Sequence, residues 1–152
     1  SDVVDNVKTM SEFEPMSPAE YKVLKSALDD FKKQKIYPCT SCDYCMPCKY
    51  GVNIPKVFKI YNDASGDGAL GAAGDGKGAT DAEKRAFIVR YNNSLAPRTG
   101  AEHCISCAKC ESVCPQHIAI SKEMPVIASL VKNLKKELSP KRRKAKKENN
   151  NA

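Results

Sequence analysis

The sequence contains no tryptophan, and only 7% of its 152 residues are aromatic. It also contains no apolar stretch of about 20 residues, the length that a membrane-spanning helix requires. With so few large apolar side chains, the chain is expected to build only a small core, and bonds to a bound group should supply much of the folding free energy. These absences indicate one small domain with tails and no contact with a membrane.

Cysteine is also absent from most of the chain, because all eight cysteines fall into two short runs. The first run is C-x2-C-x2-C-x2-C and the second is C-x2-C-x2-C-x3-C-P. The cysteines are Cys39, Cys42, Cys45, Cys48, Cys104, Cys107, Cys110 and Cys114. We find no secretory signal at the start, so we expect a cytoplasmic location. In a reducing compartment such cysteines are metal ligands rather than disulfide partners.

The spacing within the runs predicts iron–sulfur chemistry. A loop with a thiolate at every third position reaches three corners of a cube-shaped cluster, and the second run has the spacing of bacterial ferredoxins. Structural zinc is the main alternative, since it also takes four thiolates. Zinc sites usually pair two separate C-x2-C knuckles, however, so a third cysteine at the same interval is surplus. We therefore predict two [4Fe-4S] clusters, with no catalytic residue in this chain.

The fourth cysteine of each run is expected to serve the other cluster. One continuous loop reaches only three irons comfortably, and the fourth cysteine already belongs to the following helical segment. The first predicted ligand set is Cys39, Cys42, Cys45 and Cys114. The second predicted ligand set is Cys104, Cys107, Cys110 and Cys48.

The rest of the chain predicts an all-α fold, an α-helical ferredoxin-like domain with two cysteine-rich loops. Capping boxes predict helix starts at residues 17–20 and 80–83, Ile54-Pro55 opens another helix, and a last helix is expected over about 123–138. No segment alternates as a strand would. The predicted organisation is a lead-in over 1–16, the helical domain over 17–138 with a flexible glycine-rich loop over 64–80, and a disordered basic tail over 139–152.

The basic tail offers a second functional hypothesis. Six lysines and arginines crowd residues 141–147 within a chain of net charge +7. Such a run suits nucleic acid or another polyanion, but it is more often a solvated tail. We therefore do not expect nucleic-acid binding, and keep as an alternative a structural, zinc-binding or sensing module whose basic tail binds nucleic acid.

Both cysteine runs, with the residues that follow them, resemble a known family. The segments PCTSCDYCMPC at 38–48, GVNIP at 51–55, CISCAKCE at 104–111 and CPQHI at 114–118 are similar to the ferredoxin-like 4Fe-4S extension at the carboxyl end of bacterial aldo/keto reductases. The resemblance runs from the first residues to about Leu138. It implies an electron-transfer domain belonging to an oxidoreductase.

The resemblance also implies that this chain is a fragment. The family's catalytic residues lie in a (β/α)8 barrel that this sequence does not contain, so the segment alone is not expected to reduce carbonyls. Asp5 and Asn6 match an acid–Asn pair that contacts NADP(H), a cofactor expected only in the full-length enzyme. The expected partner is the barrel domain or a redox partner protein. A stand-alone dicluster ferredoxin subunit is the alternative.

Overall fold

The computed structural model describes residues 1–11, 13–33 and 35–139, so the basic tail predicted over 139–152 lies outside the described residues except for Ser139. Within them the chain forms five α-helices and one short 3-10 helix, and no strand. The helices are α1 (Asp2–Ser11), α2 (Pro18–Lys33), α3 (Ile54–Gly66), α4 (Asp81–Ser94) and α5 (Ile120–Glu137), and the 3-10 helix is Ala101–His103. The all-α prediction is confirmed. Among these helices, none is both long and apolar enough to cross a membrane.

The chain divides into two compact units, Ser1–Lys33 and Gln34–Ala152. Helix α2, which the predicted organisation includes in the helical domain over 17–138, lies in the first unit, and the predicted domain boundaries stay a prediction. The Ser17 capping box forms as predicted: the backbone N–H of Ser17 donates to Glu20, and the backbone N–H of Glu20 donates to the Ser17 hydroxyl. No residue of α1 is buried, and residues 18–30 of α2 are all exposed.

The second unit holds the hydrophobic core. Helices α3 and α5 supply equal shares of six buried apolar residues each, which recur at helical spacing, and α4 packs its own apolar residues into the same core. The buried apolar residues of the three helices include Val57, Phe58, Ile60, Tyr61, Phe87, Tyr91, Met124, Ile127, Leu130, Val131 and Leu134. Ion pairs join the helices at the rim, between Arg90 and Asp63 and between Lys84 and Glu137.

The glycine-rich segment over 64–80 packs against this core, which the prediction of a flexible loop did not include. Leu70 is fully buried, and the Tyr61 hydroxyl donates to the carbonyl oxygen of Gly74 at 3.0 Å. Gly74 has a φ of 64°, and a Cβ there would overlap the Tyr61 hydroxyl. Glycine at this position therefore allows a close approach to α3. The segment's motion stays a prediction.

Helices α3 and α4 begin where the sequence predicts, whereas α5 begins earlier. Thr80 forms a complete capping box with Glu83 at the start of α4, and the Asn53 side chain accepts from Lys56 at the start of α3. Helix α5 begins at Ile120, three residues before the predicted start, without a side-chain cap from its own N-cap residue Ala119. In its first turn the Ser121 N–H donates to Glu111 of the second cysteine loop, a contact that no local cap residue provides.

Candidate metal centre

Each cysteine run folds as a loop that leads into a long helix, the first into α3 and the second into α5. The loops use positive φ at matching positions, which are Ser41 (54°) and Asp43 (62°) in the first and Ser106 (57°) and Ala108 (58°) in the second. Such turns aim successive backbone N–H groups into one concavity, which favours a negatively charged group. The two loops therefore offer the same kind of backbone cradle.

A cavity with about 330 Å³ of free space lies against the first loop. It is lined by Cys39, Cys42 and Cys45 of the first run and by Cys114 of the second run. The remaining lining is mostly apolar and includes Ile54, Pro55, Phe58, Pro115, Ile118 and Ile120. The fourth cysteine in this cavity thus comes from the distant run.

A second cavity, with about 300 Å³ of free space, lies against the second loop. It is lined by Cys104, Cys107 and Cys110 of the second run and by Cys48 of the first. Ile54 lines both cavities, so a single side chain contacts both spaces. The cysteines around each cavity are those that the crossed scheme assigns to one cluster. Their binding of iron stays a prediction.

The two sets of cysteines fit a multi-atom cluster. All eight are free thiols, of which Cys42 and Cys107 are exposed and the other six are half-buried. Each set of four surrounds a space, and within the described residues no three side chains of ligand type converge closely enough to hold a single ion. A [4Fe-4S] cluster takes one thiolate at each of four separate irons, so a set of this kind suits it.

Burial makes these thiols difficult to deprotonate when no metal is bound. Desolvation raises the pKa of Cys45 and that of Cys110 to about 11, and it also raises the pKa of Cys39. Neighbouring cysteines add to these rises, because two thiolates in one cavity repel each other. A bound iron would supply the positive charge that removes this cost, since a metal-coordinating thiol is deprotonated outright.

The serines at the matching positions of the two loops, Ser41 and Ser106, act on different groups. The backbone N–H of Ser106 donates to the Cys104 sulfur at 3.4 Å. Burial raises the pKa of Cys39, and the backbone and hydroxyl of Ser41 oppose that rise. The Ser106 hydroxyl instead donates to the carbonyl oxygen of Ser121 at 2.9 Å. Matching serines therefore act on sulfur in the first loop and on a helix in the second.

The second loop is bonded to the first turn of α5. Pro125 has no N–H, so it leaves the Ser121 carbonyl without its usual partner four residues later, and the Ser106 hydroxyl occupies that carbonyl. The Ser121 N–H donates to the Glu111 carboxylate at 2.7 Å. The side chain of Ser121, followed by its N–H, lowers the pKa of Glu111. Both backbone groups of Ser121 are thus satisfied by residues of the loop.

The first loop is held at its start by Tyr37. The Asn62 side chain of α3 accepts from the Tyr37 N–H at 2.8 Å and donates to the Tyr37 carbonyl at 2.7 Å. The Tyr37 hydroxyl donates to Glu123 of α5 at 2.8 Å, and its ring packs against Phe58 with 4.8 Å between centroids. Burial and the Glu123 carboxylate raise the pKa of Tyr37, which keeps the hydroxyl a donor.

Tyr91 of α4 holds the segment that leads into the second loop. Its hydroxyl accepts from the Ala101 N–H at 2.7 Å and donates to Glu102 at 2.8 Å. Sequence reasoning does not identify Tyr37, Asn62, Tyr91 or Ser121 as supports of the loops, because their partners lie far along the chain. One signal was available: a proline inside a helix marks a free carbonyl four residues earlier.

The opening pair that the resemblance links to NADP(H) lies on α1. Asp5 and Asn6 are both exposed, and the Asp5 N–H donates to the Ser1 carbonyl at 3.1 Å. They therefore sit in the first unit, in a helix whose side chains are not packed in a core.

Comparison with known proteins supports the assignment of the cysteine loops. Residues 38–119, which are more than half of the chain and include all eight cysteines, match a family model described as a 4Fe-4S dicluster domain. No curated protein and no solved structure matches the chain. With this match, the two loops and the two cysteine-lined cavities, the chain belongs to the 4Fe-4S dicluster domain family.

Proposed function

We propose that this chain transfers single electrons through two [4Fe-4S] clusters with crossed ligation. Cys39, Cys42, Cys45 and Cys114 bind one cluster. Cys104, Cys107, Cys110 and Cys48 bind the other. The observation that carries this proposal is the lining of the two cavities, each with three cysteines from one run and the fourth from the other.

In this proposal the residues of this chain hold each cluster, shield it from water on one side and leave one edge open to solvent. When bound, a [4Fe-4S] cluster accepts and releases one electron at a potential set by sulfur hydrogen bonds, burial and nearby charge. Phe58, Ile118 and Ile120 keep water from the first cavity, and the exposed Cys42 and Cys107 bring one edge of each site to solvent. The shared Ile54 keeps the two sites within reach of each other.

The decisive experiment compares single cysteine variants after anaerobic reconstitution. Wild-type protein should hold about eight irons per chain. Cys42→Ser and Cys107→Ser serve as reference variants, since each removes a ligand from within one loop. Their electron paramagnetic resonance spectra give the signature of damage to the first and to the second cluster.

Crossed ligation predicts how the remaining variants match those signatures. Cys114→Ser should match Cys42→Ser, although it is nearer in sequence to Cys107. Cys48→Ser should match Cys107→Ser. The opposite matching would contradict the crossed scheme, while protein that binds zinc and no iron would contradict the function itself.

We further propose that the chain works within an aldo/keto reductase-type oxidoreductase, in a reducing cytoplasmic compartment. The order and spacing of the cysteine segments and the opening residues support this context. The partner is then the barrel domain, with NADP(H) bound only in the full-length enzyme. Mass spectrometry of the native polypeptide tests this proposal, because a barrel would add peptides ahead of Ser1. A native chain with no barrel would favour a stand-alone dicluster ferredoxin subunit.

A further inference from the structure

Three lysines lie around the second cavity, each from a different segment of the chain. Lys49 lies between the lining residues Cys48 and Tyr50, and Lys109 follows the lining residue Ala108. Lys122 follows Ser121, which also lines the cavity. All three lysines are exposed. Glu111 is the acidic residue beside this group, and its carboxylate is bonded to the Ser121 N–H.

The matching positions around the first cavity carry a different charge. Aligning the two runs by their cysteines places Pro115 at the position of Lys49, and Tyr44 at that of Lys109. Lys56 corresponds to Lys122, and Asp43 corresponds to the uncharged Ala108. At these positions the second cavity has three lysines and one acidic residue, Glu111. The first cavity has one lysine and one acidic residue, Asp43. Lys59 also follows a residue that lines the first cavity, Phe58, but it is paired with Asp63. The excess of positive charge is therefore greater around the second cavity.

Exposed apolar side chains accompany these lysines. Ile105 is 56% exposed and Tyr50 is 42% exposed, although both line the second cavity. Cys107, in the same lining, is exposed as well. An apolar centre with a charged surround is typical of a small, transient protein interface, and electron-transfer encounters are among the smallest such interfaces.

We propose that the rim of the second cavity docks an acidic one-electron carrier protein, an inference that rests on the proposed function. The three lysines attract a negatively charged surface and orient it, which raises the association rate more than the final affinity. Ile105 and Tyr50 then contact the apolar surface around the carrier's own redox group. One electron passes between the carrier and the cluster held by Cys107, so one is oxidised as the other is reduced, and no bond is made or broken.

The test measures association directly, without redox turnover. An acidic flavodoxin is the probe, and its association rate constant is measured by biolayer interferometry at low and high ionic strength. Lys109→Glu and Lys49→Glu should each lower this rate constant roughly tenfold at low ionic strength, and the loss should shrink at high ionic strength. Iron content, measured on the same samples, should not change.

Lys56→Glu is the matched control, since it makes the same charge change beside the first cavity. It should leave the rate constant within about twofold of wild type. An equal loss in Lys56→Glu would overturn the proposal, because the attraction would then come from the whole chain, including the basic run at 141–147. If iron is bound but the lysine variants bind the probe like wild type, docking fails while the proposed function stands. If no iron is bound, the proposed function fails first.

Discussion

The two cysteine loops have matching backbones but are attached to the fold in different ways. In the first loop the attachment lies before the cysteines, where Asn62 binds both backbone groups of Tyr37. In the second loop two attachments lie between the first and last cysteines, where Ser106 and Glu111 bind Ser121 at the start of α5. Two loops with the same backbone geometry are thus held in place by different contacts.

This difference indicates that the cysteine spacing fixes the loop, whereas the surrounding helices decide how rigidly it is held. The glycine-rich segment covers α3, where the Tyr61 hydroxyl bonds to Gly74 and Leu70 is buried. The same segment also approaches α5, since Gly76 lies against Leu134, and the second loop has its own direct bonds to α5.

The largest effect is expected from Leu70→Ala, in the glycine-rich segment that covers α3. Because Leu70 is fully buried, its truncation should lower the free energy of unfolding by about 2–5 kcal/mol. Urea unfolding followed by circular dichroism measures this change. Val89→Ala, at a side chain that is 55% exposed, is the control and should cost under about 0.5 kcal/mol. A Leu70→Ala cost as small as the control's would mean that the segment is as loose as the sequence predicts.

Asn62→Ala should have the next largest effect, because it removes both hydrogen bonds to the Tyr37 backbone. Leaving two part-buried backbone groups without that partner should cost about 2 kcal/mol. It should also accelerate loss of the cluster assigned to the first loop more than of the other. Asn93→Ala, on the exposed surface of α4, controls for the loss of an asparagine. Equal loss of both clusters would contradict a support specific to the first loop.

Substitutions of the two matching serines should have smaller effects, and the two variants can be compared directly. Ser106→Ala removes the bond to the Ser121 carbonyl and should cost about 1 kcal/mol of stability. Ser41→Ala removes a hydroxyl that favours the charged form of Cys39 and should lower the reduction potential of the first cluster, since groups that stabilise negative charge on sulfur raise that potential. Potentiometric titration and urea unfolding of both variants separate the two outcomes. If the two serines behaved alike, the two loops would be equivalent at this position.

The smallest change in stability is expected from Glu83→Gln in α4, a helix that contacts both α3 and α5. Bonds from Thr80 lower the pKa of Glu83, so its contribution to stability is fully present above the ordinary pKa of 4.5 and is lost as the pH falls through the lower folded value. Glu83→Gln should therefore be less stable than wild type near neutral pH, and the difference should shrink on acidification. Thermal unfolding of both proteins across this range measures it. A difference that stays constant with pH would exclude the carboxylate as its source.

Much of the fold could be predicted because its signals are local. The capping boxes at Ser17 and Thr80 and the Asn53-Ile54-Pro55 turn each specify a helix start within four residues. The start of α5 could not be predicted in this way, because Ser121 in its first turn bonds to the second loop. The burial of Leu70 was missed as well, since one leucine among glycines has no periodic pattern.

By itself, the sequence determined the two cysteine loops and the helical class, because these depend on spacing along the chain, and it predicted the two sets of four cysteines. Only the tertiary structure decided what holds each loop and where charge and apolar surface gather around it. Tyr37 meets Glu123, and Lys49 lies beside the same cavity as Lys109, through folding alone. Contacts between residues so far apart in sequence arise when α3 and α5 pack into one core, and no local pattern records them.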